Sequence, residues 1–255
     1  MTGSVELTFP ESGVALLEID NPPVNAMSAS MLATMNARVA EAQVDDAIRA
    51  IVITGRGRAF CSGADLKEPV AGRRAAEGEG PSGFGLLFDL LRSSRAPVIG
   101  AINGLCIGGG LELALSCDLR IASTEASFTA AGVNVGLMAS AYRLPRLIGE
   151  SRAKAMLLTG LPHDAATAER WGLVTALHEP SDLLDGALRL AHRIAGRAPL
   201  SVEATKRVVD ASFDLPPDAA DAMVRRELST LITSNDHREA VQAFRDRRSP
   251  DFTRS

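Results

Sequence analysis

Cysteine is scarce in this 255-residue sequence: only Cys61, Cys106 and Cys117 occur, an odd number with no paired spacing. That excludes a disulfide scaffold and points to reduced thiols in a cytosolic protein. Positive charge is not in excess either, since 27 Lys and Arg stand against 31 Asp and Glu for a net charge of -4. A nucleic-acid-binding protein normally presents a basic face, so this balance argues against one. No apolar run approaches the roughly 20 residues of a membrane span. The start, Met1-Thr2-Gly3-Ser4-Val5-Glu6, lacks the basic and apolar segments of a signal peptide. The four histidines, His163, His178, His192 and His237, are scattered without metal-ligand spacing, so no metal is expected. No Gly-x-Ser-x-Gly elbow is present, which argues against an α/β-hydrolase. What is abundant is hydrophobic residues, 46% of the chain. That is enough to bury the core of one α/β domain, or of a domain with a small appendage.

The first half alternates β-rich runs with helical patterns. Val14 to Asp20 reads as a strand closed by Asn21-Pro22-Pro23. Ser28 is a helix cap, and Met31, Leu32, Met35 and Val39 follow at helical spacing. Further strands are read over Ile48 to Thr54, Pro97 to Ile102, Leu119 to Ala122 and Ser127 to Thr129, with a helix from Leu111 to Ser116. Strands separated by helices imply crossover connections and the α/β class. The stretch Glu68 to Gly85 carries five glycines and two prolines and reads as a mobile loop. From about Ala139 the strand signal nearly vanishes. Helices are expected at Lys154 to Leu158, Ala165 to Trp171, Asp182 to Gly196, Ser201 to Ala211, Asp218 to Ile232 and Asp236 to Arg247. Six helices with few strands to cover suggest an appendage packed on another surface, such as a second subunit.

Two segments could carry chemistry. In Ala101 to Leu113 a strand feeds Gly108-Gly109-Gly110, which opens a helix. Consecutive glycines let a ligand reach the backbone, and the first amides of a helix lack partners and carry the positive end of its dipole. A phosphate would suit such a site, but the Walker lysine and the dinucleotide spacing are missing. Tight strand–helix packing explains the glycines equally well. Glu112 falls three residues after Gly109, on the same side of the helix, either as an acid/base group or simply as an acid favoured at a helix start. The second segment, Phe60-Cys61-Ser62-Gly63-Ala64-Asp65-Leu66-Lys67, also leaves small-residue amides open. Two such donors converging from separate loops would form an oxyanion hole. Asp65 could equally cap a short helix, and Lys67 could be a solvated side chain.

Together FCSGADLKE and AINGLCIGGGLELALSCDLRIA resemble the enoyl-CoA hydratase/isomerase (crotonase) superfamily. Asn21 to Met27, Ala168 to Val174 and Ala243 to Arg248 match further segments of that family, in order along nearly the whole chain. The resemblance implies an α/β fold, a spiral of ββα turns over residues 1–195 with the acyl-CoA site, followed by a helical trimerisation region over 196–255. It implies homotrimers or dimers of trimers, a cytoplasmic enzyme of acyl-CoA metabolism, and no cofactor beyond the coenzyme A of the substrate itself. By motif match the thioester oxygen is held by the amides of Ala64 and Gly109, and Glu112 is the catalytic acid/base. Ser62 and Gly108 flank those amides. Asp65, Leu66 and Lys67 line the adenine and phosphate side of the CoA site, Asn25 and Ala26 lie by the pantetheine or adenine, and Arg247 or Arg248 reaches a CoA phosphate. Hydratases of the family use a second glutamate, four residues after the strand phenylalanine. Here that position is Gly132, and the following Leu137 to Leu144 lacks the usual glycine-rich run. One acid/base role is therefore missing. This leaves open a hydratase, a single-glutamate isomerase or decarboxylase, or a non-catalytic acyl-CoA carrier. Gly132 could open room for a bulkier acyl group. Asn134 and Tyr142 could lend a hydrogen bond, although packing and turn stabilisation account for them better.

Overall fold

The structure, a computed structural model, describes residues 3–68 and 83–255. Most of the loop read over Glu68 to Gly85 lies outside those residues. Strand β1 (Ser4–Glu11) turns at Gly13 into its antiparallel neighbour β2 (Val14–Asp20). Helix α1 (Ala29–Val44) follows, its start capped by Ser28 Oγ, which accepts the Met31 amide at 3.2 Å. Its buried side carries Met31, Leu32, Met35 and Val39, as their spacing predicts.

Three similar units come next. They are β3 (Ala50–Gly55), β4 (Ala59–Cys61) and α2 (Phe84–Ser93); β5 (Val98–Ile102), β6 (Leu105–Ile107) and α3 (Gly109–Ser116); and β7 (Leu119–Ser123), β8 (Ser127–Thr129) and a 3-10 turn over Ala131–Val135. Each unit lays one strand in each of two sheets and then returns through a helical segment, which makes the chain a ββα spiral. Successive corners stack directly: a Cβ on Gly104 would sit 2.1 Å from Arg58 O, so only glycine fits there. Asn103 laces the corners together, its side chain accepting the Gly55 amide at 3.1 Å and donating to Gly57 O at 2.9 Å.

The second half adds helices α4 (Leu144–Ile148) and α5 (Glu150–Thr159), strand β9 (Pro162–Asp164), helix α6 (Ala165–Trp171), strand β10 (Leu177–His178), and helices α7 (Leu183–Ala195), α8 (Pro199–Ser212), α9 (Pro217–Thr233) and α10 (Asn235–Asp246). The larger sheet runs β1-β2-β3-β5-β7-β10 and the smaller β4-β6-β8-β9. The parallel strands of the larger sheet are buried on both faces, as crossover sheets require. Residues Val14, Leu16, Ala50, Val52, Ile99 and Ala101 face α7, while Ala15, Leu17, Ile19, Ile51 and Ile53 face the main core. The expected late helices are all present, but α7 is a cover of the sheet rather than part of an appendage. Helix α9 buries none of its residues, and Val224, Leu228 and Ile232 are exposed along one of its sides. A cavity of about 1190 Å³ lies between the C-terminal end of α3 and helices α8 and α10. Among the described residues no helix is long and apolar enough to cross a membrane.

Arg120 anchors α3. It is 6% exposed and donates to Leu173 O at 2.8 Å, Cys117 O at 2.7 Å and Ala114 O at 3.3 Å. Two of these acceptors belong to the end of α3, where carbonyls lack helical partners and a cation is favoured. Arg120→Ala removes the donor to the Leu173 and Cys117 carbonyls, while Ala114 O keeps the Cys117 amide at 3.2 Å. It is expected to cost about 2–4 kcal/mol of stability, read from the urea midpoint, with Arg120→Lys intermediate.

Candidate active site

The site grows from the corner where α3 begins. Gly108 has φ +55 and ψ -113, a conformation reserved for glycine, and its amide donates to Thr129 O at 3.0 Å. The next amide, that of Gly109, opens the helix. A Cβ on Gly110 would lie 1.9 Å from Cys61 O, so the start of α3 is pressed against the end of β4 with no room for a side chain. Past β4 the chain is zipped to residues 24–27. Ser62 N–H donates to Val24 O at 3.1 Å, Met27 N–H to Gly63 O at 2.8 Å, and Asp65 N–H to Met27 O at 3.0 Å. In this extended pairing alternate amides point to opposite sides, so Ala64 N–H faces away from Met27. Gly63, at φ +89, touches the other turn directly: a Cβ there would stand 2.7 Å from Gly109 N. Neither the Ala64 nor the Gly109 amide donates to any described residue. Two free amides flank one contact, in half-buried surroundings.

Glu112 lies on the first turn of α3, and its Oε1 accepts the Ser140 amide. Burial pushes its carboxyl above the ordinary 4.5, an effect opposed by the Ser140 N–H and by the charges of Arg143 and Arg92. The cysteines beneath the site are chemically quiet. Burial pushes Cys61 and Cys117 up to about 12 and raises Cys106 as well, so all three stay protonated thiols rather than nucleophiles.

Other sequence candidates are placed as follows. Asn25 is buried and spends its side chain on the protein: it donates to Ala59 O at 2.7 Å and Arg56 O at 3.0 Å and accepts the Asn21 amide at 2.8 Å. It shapes the turn behind the site, and its side-chain amide hydrogens are directed to carbonyls of the chain itself. Ala26 O accepts the Asn21 side chain at 2.6 Å. Asp65 accepts the Lys67 amide at 2.9 Å and so caps a short turn, with Leu66 and Lys67 exposed beyond it. Gly132 does not open a space. A Cβ there would meet Leu137 O at 2.9 Å and Ala139 N at 3.1 Å, so the chain itself fills the volume. Asn134 donates to Gly160 O at 3.0 Å, and Tyr142 donates to Asp214 at 2.9 Å; each serves local structure. Arg248 pairs with Glu239 and lines the large cavity, and Arg247 is the left-handed cap of α10.

Two residues at the site escape the sequence reading. Phe84, the first residue of α2, packs its ring against Gly109, where a Cβ would come within 3.1 Å of it. The Leu87 and Leu91 spacing would have revealed the helix, but nothing local announces that its end caps the glycine turn. Ser140 is the other: its contact with Glu112 spans 28 positions.

Comparison with known proteins places this geometry. The family model described as enoyl-CoA hydratase/isomerase matches residues 10–255. The chain is 33% identical over 252 residues to the short-chain-enoyl-CoA hydratase of Clostridium acetobutylicum, covering 93% of each. It is 38% identical over 245 residues to the (E)-benzylidenesuccinyl-CoA hydratase of Thauera aromatica, covering 94% of this chain and 95% of that one. The crystal structure of an enoyl-CoA hydratase from Bacillus anthracis superposes with a TM-score of 0.90 at 28% identity, over 98% of this chain and 99% of the other. Likeness in sequence and in fold thus runs over nearly the whole length, and the chain belongs to the enoyl-CoA hydratase/isomerase family.

Proposed function

We propose that the protein adds water across the α,β double bond of an enoyl-CoA, with Glu112 as both base and acid. The observation that carries this is the contact between the Gly63 and Gly109 turns, which leaves the Ala64 and Gly109 amides unspent beside Glu112. The thioester oxygen accepts from both amides. As the water oxygen bonds to Cβ, Glu112 takes a water proton and the π electrons move onto the thioester oxygen. The two N–H groups hold that developing charge without reorganising. The enolate then returns its electrons to Cα, which takes the same proton back from Glu112 and restores the carbonyl. One water is added on one face, and the carboxylate is regenerated. A single group serves both proton transfers, which suits a site with Gly132 where the family's second acid would stand. No electrons leave the substrate, so the reaction needs no redox cofactor, and coenzyme A enters as part of the substrate.

The side of the thioester carrying coenzyme A is read along Ser62, before the Ala64 amide, and Asp65, Leu66 and Lys67, which follow it toward solvent. The exposed apolar side of α9 supports association into a homotrimer, or a dimer of trimers, through the C-terminal helices. Light scattering on the purified protein is expected to give three or six times 26.8 kDa. The activity is tested with crotonyl-CoA and longer enoyl-CoAs, following loss of the conjugated thioester. Turnover by hydration supports the reading. Double-bond migration without water uptake would make the protein an isomerase, and tight CoA binding with no chemistry at any chain length would make it a carrier.

A further inference from the structure

Helices α2 and α3 run side by side from the amide turn to the large cavity. Phe84, at the start of α2, packs on Gly109, at the start of α3. At their other ends Arg92 of α2 and Leu115 and Ser116 of α3 line the cavity together. Glu112 lies between these ends, one turn before Ser116, whose hydroxyl donates to the Glu112 carbonyl at 2.9 Å. Four residues of helix rise about 6 Å, so the cavity opens just past the carboxylate. Its charge is opposite to that of the chain. The lining carries seven Arg and Lys against three Asp, whereas the whole sequence carries 27 Lys and Arg against 31 acids. Most of these cations are already committed. Arg146 pairs with Asp214, Lys206 with Asp118, Arg248 with Glu239 and Arg92 with Asp89, and Arg120 is spent on carbonyls. Arg197 is exposed. Arg143 differs from all of them. It is half-buried on the turn that follows Ser140, and its guanidinium makes no hydrogen bond or ion pair among the described residues. Burial and the neighbouring charge of Arg92 lower its pKa, while Glu112 and Asp210 act on it from beyond ion-pair distance. A guanidinium withdrawn from water without a hydrogen-bond acceptor is unfavourable, and its flat fork of donors fits a carboxylate.

We infer that Arg143, with Arg92 beside it, binds a carboxylate at the far end of the acyl chain, so that the substrates are enoyl-CoAs of dicarboxylic acids. The proposal rests on the reading above, in which the thioester oxygen sits at the Gly109 amide. The remainder of the acyl chain then passes Glu112 and enters the cavity. Coenzyme A leaves on the other side of the thioester, along residues 62–67, so its phosphates do not compete for Arg143. Leu115, Leu147, Val209 and Phe213 give the cavity an apolar lining that suits the methylenes of the chain. A terminal carboxylate accepts two N–H groups of Arg143 and offsets the repulsion between the two guanidiniums. An uncharged chain leaves the fork unsatisfied, so the same cavity favours the diacid and disfavours its uncharged counterpart.

The test compares matched pairs on the wild-type protein. Hydration of glutaconyl-CoA is measured against that of 2-pentenoyl-CoA, and hydration of 2,3-dehydroadipyl-CoA against that of 2-hexenoyl-CoA. In at least one pair kcat/KM is expected to favour the diacid by about 10- to 100-fold, the value of hydrogen bonds to a charged group. Calorimetry with saturated adipyl-CoA and hexanoyl-CoA needs no turnover, and adipyl-CoA is expected to bind at least about 10-fold more tightly. Arg143→Met keeps the apolar stem and leaves no partner unpaired. It should bring the members of each pair to within about threefold of one another, while Arg143→Lys, a point charge without the fork, should keep part of the preference. Equal kcat/KM and equal affinity within every pair would overturn the proposal and leave the hydration reading in place. A preference that survives in Arg143→Met would also overturn it, because the anion would then be held elsewhere. Tighter binding of adipyl-CoA with no hydration of any substrate would remove the hydration reading and leave the carboxylate site standing.

Discussion

Glu112→Gln is expected to lower kcat for enoyl-CoA turnover by about 10²- to 10⁴-fold, the usual value of a positioned acid/base group, while saturated acyl-CoA binds within about twofold of wild type. Glutamine keeps an oxygen for the Ser140 amide, so the loop stays in place and only proton transfer is lost. The pH dependence gives an independent signature. Glu112 must be ionised to accept the water proton, and burial raises its pKa above 4.5. The acid limb of kcat/KM in the wild-type enzyme should therefore fall at a higher pH than an ordinary glutamate gives, and the limb should be missing from the residual activity of the glutamine variant. The sign for stability follows from the same shift. A carboxyl whose pKa is raised by folding favours the folded state most at low pH, and that contribution is lost as the pH rises through the folded-state value. At neutral pH the glutamine variant should thus be at least as stable as wild type, measured by thermal melting. An acid limb at or below the ordinary glutamate range would remove Glu112 from the role of base.

Gly63→Ala is expected to lower kcat/KM by about 10²- to 10³-fold, equivalent to losing one donor from an oxyanion hole. The added methyl would stand 2.7 Å from Gly109 N, and neither partner can give way as a flexible side chain would, because both are backbone. The backbone at φ +89 is itself unsuited to alanine. The turns must separate, and the amides of Ala64 and Gly109 then cease to face one oxygen. Gly57→Ala is the control. It too has positive φ, +71, but nothing lies within 4 Å of the added methyl. It should lose about 1 kcal/mol of stability and keep its activity. If the two variants behave alike in kcat/KM, the turn contact has no catalytic meaning.

Much of the architecture could be read from local pattern. β2, β8 and α6 begin and end where their sequences predict, because an apolar run bounded by breakers, or a capped amphipathic turn, carries its own limits. The three-residue strands β4, β6 and β9 could not be read this way. They are too short to display a period. β4 and β6 exist because successive turns of the spiral stack, and β9 because a later segment returns to pair antiparallel with β8. β1 was obscured by Pro10 and by its mostly exposed edge position, and α2 by the glycine-rich approach and an uncapped start at Gly83. For the site, the glycines and Glu112 were visible in the sequence, but the meeting of Gly63 with Gly109 was not, since no local rule links residues so far apart. The partners of Asn25 were hidden likewise: the family resemblance set it near the pantetheine or adenine, and only the fold shows its side chain bonded to Asn21, Arg56 and Ala59.

The occupied volume beside Gly132 also bears on redesign. Grafting a two-carboxylate site onto this scaffold by exchanging residue 132 alone would force a new side chain into the path of Leu137 to Ala139. The connection to α4 would first have to be rebuilt with extra residues, so that the backbone could swing clear before any second acid were installed.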